Sequence, residues 1–239
     1  QSKSKTKYNK IIIVLIIFYG LFYPIVNSGQ SNGKLFIQQE LLLNFNVGKT
    51  ALIIGGMLCI SRIIRVISNV AFNKIHNKYE EKVGVILPIF LSTSIILMIA
   101  GSFIIKKYII LKFVIMSFGY IIILFVRDPF KVYMQDLALR NVGKEGQQSL
   151  LTTMELSRKV VRAIMSFSFT MILLNNPMIT VITILFILSI IEILVSIKLY
   201  KLIINGKEEK VDEKYIDYGN RKSGKNYLKQ NDKRQIQQL

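Results

Sequence analysis

Six stretches of this chain are apolar over about the thickness of a bilayer, and that recurrence limits the fold more than any other feature. A hydrocarbon core of about 30 Å takes about 20 helical residues, and candidate helices lie near residues 9–27, 50–72, 84–105, 107–126, 150–175 and 178–203. Runs such as IIIVLIIFYGLFYPIV and VITILFILSIIEILVSI lack the apolar–polar alternation of a barrel strand. A helix satisfies its own backbone where no water can. The expected fold class is all-α: a polytopic membrane protein, a six-transmembrane-helix bundle. Hydrophobic residues make up 51% of the chain, as an integral membrane protein requires. A basic lead-in, residues 1–8, precedes the six-helix domain 9–203, and the polar stretch 204–239 reads as a disordered cytoplasmic tail.

Charge orients these spans, because Lys and Arg collect on the cytoplasmic side. An alternating six-span layout places 27 of the 32 basic residues on one side and only Lys34, Lys49, Lys106, Lys107 and Lys112 on the other. Both termini are thus expected in the cytoplasm. The net charge of +18 then reflects basic loops facing anionic headgroups; the expected partners are membrane lipids, and no nucleic acid is needed. A basic start, an apolar run and Val26-Asn27-Ser28 also fit a cleaved signal peptide. That reading leaves five spans and opposed termini, against the charge count. The opening QSKSKTKYNK lacks Met, which reads as a fragment or a half of something longer.

Residues 51–78, ALIIGGMLCISRIIRVISNVAFNKIHNK, begin apolar and then acquire charge while keeping helical periodicity. At 100° per residue, Arg62, Arg65, Asn69, Asn73 and His76 fall within about 80° of one face. A polar stripe on an apolar helix predicts a side turned toward the bundle interior. If the cytoplasmic border lies near Asn73, Arg65 is about 12 Å deep and Arg62 about 16 Å deep. Arginines at such depth are costly, by about 2.5–3.5 kcal/mol on insertion scales, and normally face a cavity or a partner.

Elsewhere Pro24 predicts a bend in the first helix, and LFIQQELLLNF within residues 28–48 reads as an amphipathic connection or a helix extension. Lys112, one turn inside its span, is expected to snorkel outward. Gly55-Gly56 and Gly119 predict close helix contacts. The connector 127–162 should be mostly helical, with a turn at Gly143–Gly146. Glu155 and Arg158 are spaced for an ion pair, with Arg162 one turn further. The single Cys59 excludes an intrachain disulfide.

Six helices with both ends inside, a basic turn after the second and a long cytoplasmic connector after the fourth resemble the C-terminal half of a major facilitator superfamily transporter. That family's G-x-x-x-D-R-x-G-R-R turn has a degenerate echo in residues 69–78, where Lys74 and Lys78 keep the charge type, Asn73 stands in the motif's Asp position, and both glycines are missing. RDPF…YMQDLALRNVGKEGQQSLLTTMELSRK is similar to the family's proline-containing helix end, polar turn and Ser/Thr-rich helix start. The resemblance covers about residues 8–203. It implies one half of the fold, a complementary N-terminal six-helix half supplied upstream or by a separate chain, and a small-molecule substrate near the midplane moved by alternating access. It further implies a bacterial cell membrane. On that reading Arg62, Arg65, Asn69 and Glu192 are candidates for the substrate cavity or its gating, with an anionic substrate. Glu155, Arg158 and Arg162 are candidates for a cytoplasmic gate.

Other readings stay open at this point. Arg62 and Arg65 can pair with Glu192, the one acid of the last span, as a structural fastening, or both can snorkel to the cytoplasmic surface. An enzyme is not expected, since one His, one Cys and almost no acid at membrane depth supply no metal cluster or activated nucleophile. No cofactor is expected. A six-helix membrane domain of an ATP-driven transporter has the same layout, though the usual long cytoplasmic helix extensions have no counterpart in the pattern and no phosphate-binding G-x-x-x-x-G-K-[ST] loop occurs. A non-transporting membrane subunit is the third alternative.

Overall fold

The computed structural model describes the backbone of residues 2–79, 82–141 and 144–205 and the side chains of most of them. Six long helices account for nearly all of it: α1 (Ser2–Leu42), α2 (Val47–Tyr79), α3 (Val83–Ser102), α4 (Ile109–Asn141), α5 (Lys144–Asn175) and α6 (Met178–Asn205). A short 3₁₀ turn, Lys106–Tyr108, leads into α4. The protein is an all-α membrane bundle. Five helices, all but α5, are long and apolar enough to cross a bilayer. α5 is long enough at 32 residues, but Arg158, Lys159 and Arg162 interrupt its apolar stretch. The chain divides into a compact unit, Gln1–Tyr200, and a second, Lys201–Leu239, of which residues 201–205 are described and helical. The tail expected at 204–239 therefore lies almost wholly outside the described residues.

Contacts across the bundle fix the helix directions. α1 and α4 are antiparallel, because Phe22 meets Phe130, Gly33 meets Tyr120 and Glu40 meets Lys112. α3 and α4 are antiparallel too, Gly84 lying against Tyr133 and Gly101 against Met116. α1 and α5 run parallel, with Tyr19 against Glu155, Gly20 against Ser157 and Tyr23 against Arg158. α2 and α4 are parallel as well, joined by Arg65 to Asp128 and His76 to Asp136.

The core is built around α1, where Leu15, Phe18, Tyr19, Phe22, Ile25 and Val26 are almost fully buried. Phe130 of α4 stacks on Phe22 with ring centroids 3.7 Å apart and meets Phe18 edge-on at 5.3 Å. Aromatic pairs of this kind contribute about 0.5–1.5 kcal/mol beyond the area they cover. Close approach of α3 to α4 depends on Gly119, where a Cβ would come within 2.5 Å of the Ser94 carbonyl oxygen. The close contact expected there is present. Nothing lies within 4 Å of a Cβ built on Gly55 or Gly56, so those two open no helix contact among the described residues.

Helix ends depart from the expected ones in an informative way. α1 does not stop near residue 27 but continues through Pro24 to Leu42, a helix of 41 residues, so LFIQQELLLNF mostly extends it. Its polar residues find partners on α4. Gln30 accepts from Arg127 Nη1 at 2.7 Å, and Glu40 pairs with Lys112 Nζ at 2.6 Å. Lys112 consequently does not snorkel; it is buried and also donates to the Ser102 carbonyl at 2.9 Å. α4 likewise runs on to Asn141, and α5 already begins at Lys144, so residues 144–146 of the expected turn are helical, while 142–143 lie outside the described residues.

Candidate functional site

The polar stripe of α2 divides when α2 meets its neighbours. Ser61, Ser68 and Phe72 are buried, and Arg65 and His76 are half-buried on the same side. These positions recur every three or four residues and form the seam that docks on α4. Arg62 and Asn69 sit about 100° round from Ser61 and Ser68 and are exposed. Lys74 is exposed too, while the side chains of Asn73 and Lys78 lie outside the described residues.

Arg65 has a partner, and it is not Glu192. Its Nη2 and Nε lie 2.8 and 2.9 Å from Asp128 Oδ2, with side chains 38% and 24% exposed. About two turns along α4, Asp136 pairs with Arg140 at 2.7 Å and lies 3.5 Å from His76 Nε2. The sequence reading missed Asp128 because it ended that span at residue 126. The signal available was the doublet Arg127-Asp128, whose acid can offset an intramembrane arginine. Glu192 instead sits on the buried side of α6 with Ser189 and Ser196, is 0% exposed, and neither carboxylate oxygen has a hydrogen-bond partner among the described residues. Ser189 places this side against α3, since Ser92 Oγ donates to Ser189 Oγ at 2.8 Å.

The expected gate residues fall on the α1–α5 contact. Tyr19 OH donates to Glu155 Oε1 at 2.8 Å. Glu155 also pairs with Arg158, whose guanidinium lies over the Tyr23 ring at 4.7 Å from its centroid. These four side chains tie α1 to α5. One turn further along both helices the contact opens into a polar cleft of about 200 Å³, lined by Asn27, Ser28, Ser31 and Asn32 of α1 and by Arg162, Ser166 and Thr170 of α5, with Phe169 and Leu173 beside them. Arg162, which is exposed, makes no ion pair or hydrogen bond among the described residues, unlike Arg158.

The level of the cleft follows from length. Asn27 and Ser28 stand next to the midpoint of the 33-residue span Lys10–Leu42. Asp128 meets α1 near Pro24 by the α1–α4 register, so Arg65, Arg127 and Arg162 occupy one layer near the middle of the bundle. Sequence reading found Arg162 and assigned it to the surface. It missed Asn27, Ser31 and Asn32, which looked like loop residues. Among the described residues no three His, Cys, Asp or Glu side chains converge to hold a metal. No family model, curated protein or solved structure matches this chain.

Proposed function

We propose that this chain is a secondary active transporter of the major facilitator type, forming the C-terminal half that moves a small solute by alternating access against a complementary N-terminal six-helix half. In this reading it resides in a bacterial cell membrane with both termini cytoplasmic. One observation carries the proposal: a cleft lined by seven polar or charged side chains lies at mid-span between α1 and α5. Polar groups at that depth are costly against lipid and are retained where they line a water-filled path or a substrate. The exposed Arg62 and Asn69 of α2, and its bare apolar flank of Ile63, Val66, Ile67 and Val70, supply surface for the second half and for lipid.

A six-helix membrane domain of an ATP-driven transporter is the second reading, favoured by the run of α4 to Asn141 and of α5 from Lys144, longer helices than the sequence pattern implied. Thiol accessibility tests both. With Cys59 replaced by Ser, Ser166→Cys in native membranes should react with the impermeant anionic reagent methanethiosulfonate ethylsulfonate in right-side-out and in inside-out vesicles, while Ile190→Cys on α6 should not react. Reaction from one side only, or from neither, sinks alternating access. A rate that shifts on adding ATP selects the second reading.

A further inference from the structure

We propose that the α1–α5 cleft is a binding site for a small oxyanion, a carboxylate, phosphate or sulfate group, with Arg162 as its charge partner. This deepens the transporter reading and rests on it only for what happens after binding. Charge balance comes first. Of the other arginines near this layer, Arg65 is matched by Asp128, Arg158 by Glu155, and Arg127 by Gln30 and, at 3.9 Å, Asp128, whereas Arg62, exposed on α2 away from the cleft, has no partner among the described residues. Among the described residues Arg162 has no partner, and no Asp or Glu lines the cleft. Arg162 is exposed at the mouth of the cleft, with only Ser28 of the polar lining buried, and its planar guanidinium fork fits two oxygens of one oxyanion.

The hydroxyls and amides agree. Ser61, Ser68 and Ser94 donate to the carbonyl three residues earlier in their own helices, at 2.5–2.8 Å. Ser28, Ser31 and Ser166 make no such bond, and the Asn27 and Asn32 amides are likewise uncommitted, so five donors face the space beside Arg162. Thr170 differs, because its hydroxyl is spent on the Ser166 carbonyl at 2.9 Å, which leaves it only as an acceptor. Each of these hydroxyls and amides can turn a donor toward an anion held by the one cation, although each can also accept. A volume of about 200 Å³ is below the roughly 300–1,000 Å³ of drug-sized sites, which restricts the ligand to a compact solute or a single headgroup.

The test uses the full chain in nanodiscs of phosphatidylcholine, with thermal unfolding followed against sodium phosphate, sulfate, lactate and benzoate, and sodium chloride at matched ionic strength. At least one oxyanion at saturating concentration should raise Tm by about 3 °C over chloride. Arg162→Gln, which removes the charge but leaves a polar side chain, should abolish that rise, whereas Arg140→Gln should retain it. Nanodiscs containing phosphatidylglycerol separate the sources: if the lipid raises Tm by itself in an Arg162-dependent way and blocks the added salts, the occupant is a headgroup phosphate; if not, it is a free solute. No oxyanion response in either lipid, or a response unchanged in Arg162→Gln, overturns the proposal. Binding is read here at equilibrium, so it can fail while two-sided access of Ser166→Cys holds, or hold while that fails.

Discussion

The two sides of α1 are made of different material. Toward α4 it presents Phe18, Phe22, Gly29 and Gly33, and its long polar groups there, Gln30 and Glu40, are bonded to Arg127 and Lys112. Toward α5 it presents Tyr19 and Tyr23 and then, past one turn, uncommitted amides and hydroxyls around an unmatched arginine. In lipid, helix association gains little from the hydrophobic effect and depends on packing and satisfied polar contacts. The α4 side meets that requirement throughout, and the α5 side meets it only in its first turns. One helix thus serves as a fixed rib on one face and as a lining on the other.

That contrast breaks most readily at Phe130. Phe130→Ala removes the stack on Phe22 and the edge contact with Phe18, and should lower unfolding free energy by about 3 kcal/mol, measured by denaturant titration in detergent. A loss as small as that of an exposed residue would show that the α4 side is not the rib. Next comes Asp128→Asn, which leaves Arg65 facing a neutral amide. Because the pair is partly exposed, a loss of about 1 kcal/mol is expected, with partial recovery in the Arg65→Gln, Asp128→Asn double variant. The smallest effect is reserved for the cleft. Arg162→Gln in chloride buffer should change stability by less than about 0.5 kcal/mol, since no partner is lost; a change comparable with Asp128→Asn would mean that Arg162 fastens the bundle.

Much of the architecture was legible because lipid permits few folds: apolar length and the want of alternation already specify helices. What the one-dimensional pattern hid was polar residues that face neighbouring helices. Gln30, Gly33 and Glu40 look like a loop, yet Arg127, Met98 with Tyr120, and Lys112 receive them one by one. Asp128 suffered the same fate at the site, being placed beyond a span end that α4 outruns, whereas Arg162 fell inside the expected 150–175 helix but was assigned to a cytoplasmic gate. Glu192 is buried within the candidate span α6, but the arginine expected to pair with it is bonded elsewhere, because the helix carrying Arg65 docks on α4 while the buried side of α6 faces α3.

The pairing of Glu40 with Lys112, of Gln30 with Arg127 and of Phe22 with Phe130 also has a mechanical meaning. The three contacts are spread over residues 22–40 of α1, a helical rise of about 27 Å, and each binds a different level of α4. A rod pinned at three levels cannot slide along its neighbour, and its remaining freedom is rotation about the pinned line. On the proposed transporter reading, a movement of α5 that opens or shuts the cleft has to turn about or break the Tyr19–Glu155 and Tyr23–Arg158 contacts that tie it to α1.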